Sequence, residues 1–296
     1  MKNKKILILG VSGMLGFTLF DYFSKNKDYS VFGTVRNIAK KKLVEKYSNN
    51  NSSISVFNNF ASDCNIKELY IKYKPDIVIN CIGIIKQSSY ISDAYECINI
   101  NSLFPHRLAK VNNKFKAKLI LISTDCVFSG NNGMYSENDF ADAADIYGKS
   151  KLLGEVSNNP YVLTIRTSII GHELQGCNSL LNWFLNQKNK VNGFSNAYFS
   201  GFTTLELAKI FESTIFTNNN ISGLFHISSD PINKYNLLMK ISKVYNKKII
   251  INKDDSLKIN RSLNGELFKE KTGYKSKPWD SMIREMYDYN FKFMKA

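Results

Sequence analysis

Tyr147 and Lys151 stand four residues apart in the run Tyr147-Gly-Lys-Ser-Lys151, at the start of a segment with helical spacing over 145–156. Four residues make about one helical turn, so both side chains leave one face. A phenol beside an ammonium is a proton-transfer pair. Reduction of a ketone by hydride leaves an alkoxide that needs a proton, and a tyrosine of ordinary pKa, about 10, is poorly matched to that cycle at neutral pH. A neighbouring ammonium favours the phenolate and lowers that value. YxxxK is a common accident on helix surfaces, and position sets this one apart. It follows by a short loop the apolar strand expected over 117–123, which runs into Ser123-Thr124-Asp125. Thr124 can offer its hydroxyl to a substrate oxygen, with Asp125 beside it. The alternative is that Thr124 only caps a turn.

A second constellation opens the chain. The apolar run Ile6-Leu-Ile-Leu9 leads directly into Gly10-Val-Ser12-Gly13-Met14-Leu15-Gly16, which starts a segment of helical spacing over 13–25. A pyrophosphate needs close backbone approach, hence glycine, and the unpaired N–H groups of a helix start to bind its charge. A glycine pattern between strand and helix is the context that makes a dinucleotide site credible. About 20 residues on, a strand over 29–35 ends at Thr34-Val-Arg36-Asn37. An NAD site usually carries a carboxylate there for the ribose hydroxyl. Here the charged group within reach is Arg36, whose guanidinium suits a 2′-phosphate. NADP(H) is therefore favoured, with NAD(H) left open. At the end of the strand expected over 76–82, Cys81 and Gly83 border the cofactor, Gly83 by letting the backbone pass close. Asn99, on the following helix, is the candidate to support Lys151 through a water; polar packing inside a helix is its other reading.

These groups need a sheet that delivers several strand ends to one edge. Strands are expected over 5–10, 29–35, 53–57, 76–82, 117–123 and 161–167. Helices are expected over 13–25, 65–73, 95–112 and 145–156. Strand alternating with helix this often argues for α/β architecture, a Rossmann-type doubly wound parallel sheet. Beyond residue 170 the rhythm loosens into helices over 178–187, 204–216, 235–245 and 279–293, with a strand over 223–228. The expected organisation is a dinucleotide-binding domain over 1–170, to which about 200–228 can return. A smaller, mostly helical substrate-binding region follows over 171–296.

Composition narrows the class. Hydrophobic residues make up 44% and charged residues 22% of the 296, a globular balance. The apolar run near the N-terminus is too brief for a signal peptide, and no stretch suits a membrane span, so a cytoplasmic protein with no membrane partner is expected. Five scattered cysteines without a CxxC pair and three separated histidines give no metal or disulfide pattern, and no metal is expected. The net charge of +15 comes from small lysine clusters (Lys2, Lys4, Lys5; Lys40–Lys42; Lys247, Lys248) rather than a basic arm. Nucleic acid is accordingly not expected, while a diphosphate-bearing substrate would benefit from the same field.

With these motifs in order, the chain resembles the extended short-chain dehydrogenases/reductases, and within them the dTDP-4-dehydrorhamnose reductase (RmlD-like) family. The carriers are the Gly10–Gly16 loop, Ser123-Thr124-Asp125-Cys-Val-Phe128-Ser-Gly130, Tyr135-Ser-Glu137-Asn-Asp139 and Tyr147-Gly-Lys-Ser-Lys151-Leu-Leu-Gly154-Glu155. Ile165-Arg166-Thr167-Ser168, Gly223-Leu-Phe-His226-Ile and Arg261-Ser-Leu-Asn264 follow in order. The resemblance implies that Thr124, Tyr147 and Lys151 are catalytic. It implies a nucleotide-linked 4-keto-6-deoxy sugar as substrate, reduced for surface polysaccharide or O-antigen synthesis, with a homodimer as the assembly to test. The substrate would be held by Thr124, Asp125, His172, Asn178 and Arg261, the last at its diphosphate. Two segments depart from the family pattern, Cys81-Ile-Gly83-Ile-Ile-Lys86-Gln87 and Phe199-Ser-Gly201-Phe202-Thr203-Thr204; the first borders the sugar and leaves its identity open. Other readings are an epimerase or dehydratase on the same fold, although Asp125-Cys126 does not supply a dehydratase's acid–base pair. A regulatory subunit that binds cofactor without turnover is the third.

Overall fold

In the computed structural model, which describes residues 3–48, 53–58, 62–218 and 220–294, the unbroken apolar runs become a parallel sheet. Lys2, of the first lysine cluster, lies outside the described residues. β1 (Lys4–Leu9) leads into α1 (Met14–Ser24), β2 (Tyr29–Val35) into α2 (Ile38–Tyr47), and β3 (Ser53–Val56) into α3 (Asp63–Tyr73). β4 (Ile77–Asn80) is followed by the short α4 (Ala94–Cys97) and by α5 (Phe104–Phe115). β5 (Lys118–Ile122), α6 (Ile146–Leu153) and β6 (Val162–Arg166) complete the repeat. The strand order is β3-β2-β1-β4-β5-β6, with the strand Gly223–His226 beyond β6. That is the doubly wound Rossmann order.

By packing, the chain divides into two units. One comprises Met1–Ser123, Ala144–Ile165 and Asn218–Leu224; the other comprises Thr124–Ala143, Arg166–Thr217 and Phe225–Ala296. In the first, parallel pairing aligns Leu9 with Asn80 and Asn80 with Leu121, so β1, β4 and β5 end at the same edge. Below that edge Leu7, Leu9, Val78, Leu119 and Leu121 meet Ile66, Leu69 and Tyr70 of α3 and Phe104 and Leu108 of α5 in one buried cluster. Full burial of each such side chain contributes about 1.5–3 kcal/mol, enough to hold the strand ends in place.

Two features depart from the sequence pattern. The lysine-rich segment of α2 buries only Val44, so its apolar face is too slight to announce a helix, yet Asn37 caps it by accepting from the Lys40 N–H. The helix expected over 95–112 is broken: α4 passes into a π-helical turn, Ile98–Leu103, before α5 begins. Pro105 has no N–H to give the carbonyl of Asn101 four residues back, which breaks the regular ladder at that point.

The second unit is built from short pieces. In chain order they are β7 (Ile169–Ile170), α7 (Leu180–Asn186), β8 (Lys190–Phe194), β9 (Ala197–Phe199), β10 (Phe202–Thr203) and α8 (Thr204–Ile210). β11 (Gly223–His226) is the outer strand of the large sheet. β12 (Ile232–Asn233), α9 (Lys234–Val244), β13 (Ile250–Asp254), β14 (Ile259–Asn260), α10 (Glu266–Thr272) and α11 (Trp279–Met294) follow. β9 lies between β12 and β14 in a small sheet, and β7–β10 and β8–β13 form two more pairs. Most of these strands have two or three residues, too few to show alternation, whereas the helices carry a readable period.

Candidate active site

The glycine loop has the form an anion site requires. Gly10 has φ +87°, a left-handed conformation suited to glycine, and the Gly10 and Val11 N–H groups both donate to the Thr34 carbonyl, at 3.1 and 2.9 Å. A Cβ on Gly16 would stand 2.3 Å from the Gly10 oxygen, so α1 can sit on the loop only if residue 16 has no side chain. Gly13 caps α1 without any side-chain hydrogen bond, and the first turn, Met14-Leu15-Gly16, carries no acid. The N–H groups at that end face outward with partial positive charge, ready for a pyrophosphate. Ser12 and Met14 are half-buried, Gly13 is exposed and Leu15 is buried in the core. Arg36 is exposed just past β2, and among the described residues its guanidinium has no hydrogen-bond or ion-pair partner.

On the opposite side of β1 the other strand ends converge. The Cys81 N–H donates to the Leu9 carbonyl at 3.0 Å, and the Cys81 backbone carbonyl carbon would lie 3.3 Å from a Cβ on Gly10. Burial pushes the Cys81 thiol up to about 12, against the pull of the Lys151 charge, so it stays protonated. Asp145 caps α6 by accepting from the Gly148 N–H at 2.8 Å, and its other oxygen pairs with Lys86 at 2.6 Å. That cap starts the helix one turn before Lys151, with Tyr147 on the same face. Lys151 donates from Nζ to the Ile122 carbonyl at 2.6 Å, at the end of β5. Burial pushes its ammonium down to about 8; Glu155 and Cys81 act in the other direction. The next residue of the chain, Ser123, donates its hydroxyl to Glu155 at 2.6 Å. α6 is thus tied to the end of β5, and the residue just past β5 to the segment just past α6.

Asn101, which the sequence reading passes over, is a buried amide of this unit. It accepts from the Ile84 N–H at 2.9 Å, donates to the Ile84 carbonyl at 3.0 Å and donates to the Ser150 hydroxyl at 3.1 Å. It therefore joins the loop after β4 to α6, with Ser150 next to Lys151. Gly83 is exposed, and a Cβ there would come within 3.3 Å of the Asn101 side-chain oxygen. Asn99, two residues earlier, is half-buried, and among the described residues its side chain makes no hydrogen bond. Both asparagines lie in the π-helical turn, and the widened turn decides which one faces α6. A regular helical period through 95–112 gives no means of choosing between them.

In the second unit Thr124 caps the turn Asp125–Val127, accepting from the Cys126 N–H at 3.1 Å and donating to the Asp125 carboxylate at 3.2 Å. Thr124 thus caps a turn, with its hydroxyl also in reach of the Asp125 carboxylate. Burial raises the Asp125 carboxyl; Lys234 and Arg261 work against that rise. Arg261 donates from Nε to the Phe128 carbonyl at 2.9 Å, which fixes the plane of its guanidinium. His172 is bonded through Nε2 to the Tyr245 hydroxyl at 2.8 Å, and burial pushes it down to about 4. Asn178 is exposed.

The remaining motif residues hold one another. Phe128 stacks on Tyr135 with ring centroids 4.2 Å apart, and the Arg166 guanidinium lies 5.1 Å from the Phe128 centroid. His226 contacts the Tyr135 carbonyl through Nδ1 at 2.9 Å and Arg166 through Nε2 at 3.2 Å. A carbonyl only accepts and a guanidinium only donates, so the imidazole is neutral with its proton on Nδ1. Glu137 accepts from the His226 N–H at 2.7 Å. These side chains thus stack on and bond to one another. Among the described residues no group of three or more His, Cys, Asp or Glu could hold a metal ion. The five cysteines are unpaired with one another, and no described helix is long and apolar enough to cross a membrane.

The profile of the family described as RmlD substrate binding domain matches residues 4–290. A Danio rerio protein named methionine adenosyltransferase 2 subunit beta is 23% identical over 257 residues, covering 82% of this chain and 74% of its own. A Bacillus subtilis spore coat polysaccharide biosynthesis protein, SpsK, is 26% identical over 234 residues, 77% of this chain and 74% of its own. A solved structure of Bacillus anthracis dTDP-4-dehydrorhamnose reductase in complex with NADP superposes with a TM-score of 0.78 at 18% identity, over 97% of this chain and 99% of that one.

Proposed function

Because the chain belongs to the RmlD substrate binding domain family, we propose that it is an NADPH-dependent oxidoreductase that reduces the 4-keto group of a nucleotide-linked 6-deoxy sugar. The observation that carries the reading is the convergence of β1, β4 and β5 at one sheet edge. There the glycine loop with its open helix start and the Lys151 ammonium are held by neighbouring strands. A dinucleotide fits the loop, with its 2′-phosphate met by Arg36, while Cys81, Gly83 and Lys151 border the nicotinamide end. The bound nicotinamide supplies hydride. Tyr147 gives the proton to the sugar oxygen, Lys151 favours the phenolate that results and holds ribose hydroxyls, and Thr124 orients the keto oxygen. Asn101 takes the supporting part that the sequence assigned to Asn99, because it is the asparagine bonded to the Lys151 helix.

Arg261 is the group for the substrate diphosphate, since a fork of donors suits two phosphate oxygens. The likeness to a spore coat polysaccharide biosynthesis protein favours a place in surface polysaccharide synthesis. The likeness to a protein named as a subunit of methionine adenosyltransferase favours a second reading, a cofactor-binding subunit without turnover. NADPH oxidation measured with a panel of nucleotide 4-keto-6-deoxy sugars separates the two. The reductase reading expects oxidation with at least one sugar; cofactor binding with no oxidation across the panel supports the subunit.

A further inference from the structure

Lys151 is half-buried, and its ammonium spends one of its three N–H groups on the Ile122 carbonyl at 2.6 Å. β5 pairs with β4 only as far as Leu121, so Ile122 lies one residue past that ladder and its carbonyl is taken by the lysine. A carbonyl orients an ammonium but brings no net charge. An ammonium withdrawn from water needs an opposite charge to stay ionised. Burial accordingly pushes Lys151 down to about 8, and without a charge working the other way it would fall further.

Two titratable groups work the other way, Glu155 and Cys81. Cys81 follows β4, and burial pushes its thiol up to about 12, so it carries no charge at neutral pH. At the start of α6, Asp145 is paired with Lys86 at 2.6 Å, and Tyr147 is the phenol of the proton-transfer pair itself. Glu155 is the acid that remains. It lies just past α6, where the Gly154 N–H donates to the Lys151 carbonyl and the Glu155 N–H to the Leu152 carbonyl, both at 3.1 Å. This tight end keeps Glu155 about one turn beyond Lys151. Its carboxylate accepts from the Ser123 hydroxyl at 2.6 Å, and the Ser123 N–H donates to the Ile165 carbonyl of β6 at 2.7 Å. Ammonium and carboxylate are thus anchored at consecutive residues, Ile122 and Ser123. Among the described residues Lys151 makes no ion pair, so Glu155 acts on it through its field.

We propose that Glu155, fixed by the Ser123 hydroxyl, is a positioning residue: the counter-charge that keeps Lys151 an ammonium while the site binds its cofactor. This role rests on the reductase reading and adds to it what maintains the charge that reading uses. A direct ion pair would take an N–H that Lys151 needs for ribose hydroxyls. A carboxylate set one turn away and clamped by a serine supports the charge without competing for those donors.

Carbon-13 NMR of the full chain labelled at the lysine Cε, without cofactor, follows the Lys151 titration directly, with Lys151→Met identifying its resonance. In Glu155→Gln, which keeps the side chain's shape and still accepts from Ser123, the midpoint should fall from about 8 by about one unit or more. Glu155→Asp should recover part of that shift, and Ser123→Ala should move the midpoint the same way by less. NADPH affinity should follow. At about pH 7.5 a one-unit fall leaves Lys151 charged about threefold less often, so Glu155→Gln should bind NADPH about threefold more weakly there and match wild type near about pH 6. A merely structural loss would not recover on acidification. If Glu155→Gln does not fold, Ser123→Ala carries the same comparison. An unchanged Lys151 midpoint in a folded variant overturns this inference and leaves the reductase reading standing. A shifted midpoint with NADPH affinity equal to wild type at both pH values does the same. Failure of wild type to bind NADPH overturns both.

Discussion

Lys151 is bonded to the carbonyl oxygen of Ile122 at 2.6 Å, so its ammonium is tethered to the last residue of β5. The bond fixes where the charge sits, and burial fixes when it is present, with a pKa of about 8. Below that value the lysine carries its proton; as pH rises through it, the charge is lost. NADPH affinity, followed by nucleotide fluorescence from about pH 6.5 to 9.5, should therefore decline on the alkaline side of 8. Lys151→Met should bind more weakly and show no such decline. Wild-type affinity that is flat across this range would separate Lys151 from the cofactor.

Arg36 has no acceptor among the described residues and stands past β2, where the dinucleotide's ribose end is expected. Arg36→Ala removes a charge-assisted bond worth about 1.5–3 kcal/mol. NADPH should bind about tenfold or more weakly, with NADH nearly unchanged. Equal losses for both cofactors would mean that Arg36 does not read the phosphate.

Asn101 satisfies both backbone groups of Ile84 and one hydroxyl of α6. Its replacement by alanine leaves buried polar groups unpaired, each costing about 1–3 kcal/mol. Denaturant unfolding of Asn101→Ala should show a loss of at least about 2 kcal/mol, with Asn99→Ala within about 0.5 kcal/mol of wild type. Turnover should fall in the first variant and not the second, since only Asn101 bonds to the helix carrying Lys151. The reverse order would return the role to Asn99.

Much of this was legible beforehand because the first 170 residues use long, period-rich elements. The continuous apolar runs of β1, β4, β5 and β6 announce a buried parallel sheet, and the strand order follows the Rossmann pattern. The glycine loop and the Tyr147–Lys151 spacing are local signals and need no tertiary knowledge. Asn101 was hidden because the helix widens at Ile98–Leu103, which spoils any count along a regular turn. The sequence places His172 just after β6 as a candidate for the substrate; its bond to Tyr245, 73 residues downstream, is not a local signal.

Burial pushes both His172 and His226 down to about 4, the latter helped by the Arg166 charge. In the unfolded chain a histidine titrates near 6.5, so between these values the unfolded state binds protons that the folded state refuses. The stabilisation is complete above about pH 6.5 and is lost as pH falls toward 4. Thermal unfolding should show the melting temperature dropping across that interval. His172→Phe, which keeps a ring against Tyr245, should lose less between the two ends than wild type does. An equal or steeper drop in the variant would remove His172 from the account.

The account's central claim is that Tyr147 protonates a sugar oxygen as NADPH delivers hydride. Its most direct test is NADPH oxidation by wild type and Tyr147→Phe with the nucleotide 4-keto-6-deoxy sugar that wild type turns over fastest. The Phe variant keeps the ring and loses only the hydroxyl, so its melting temperature and NADPH dissociation constant should match wild type. Its kcat should fall by about 10²–10⁴, the usual cost of losing a general acid. A folded, cofactor-binding Tyr147→Phe variant with turnover near that of wild type would contradict the claim.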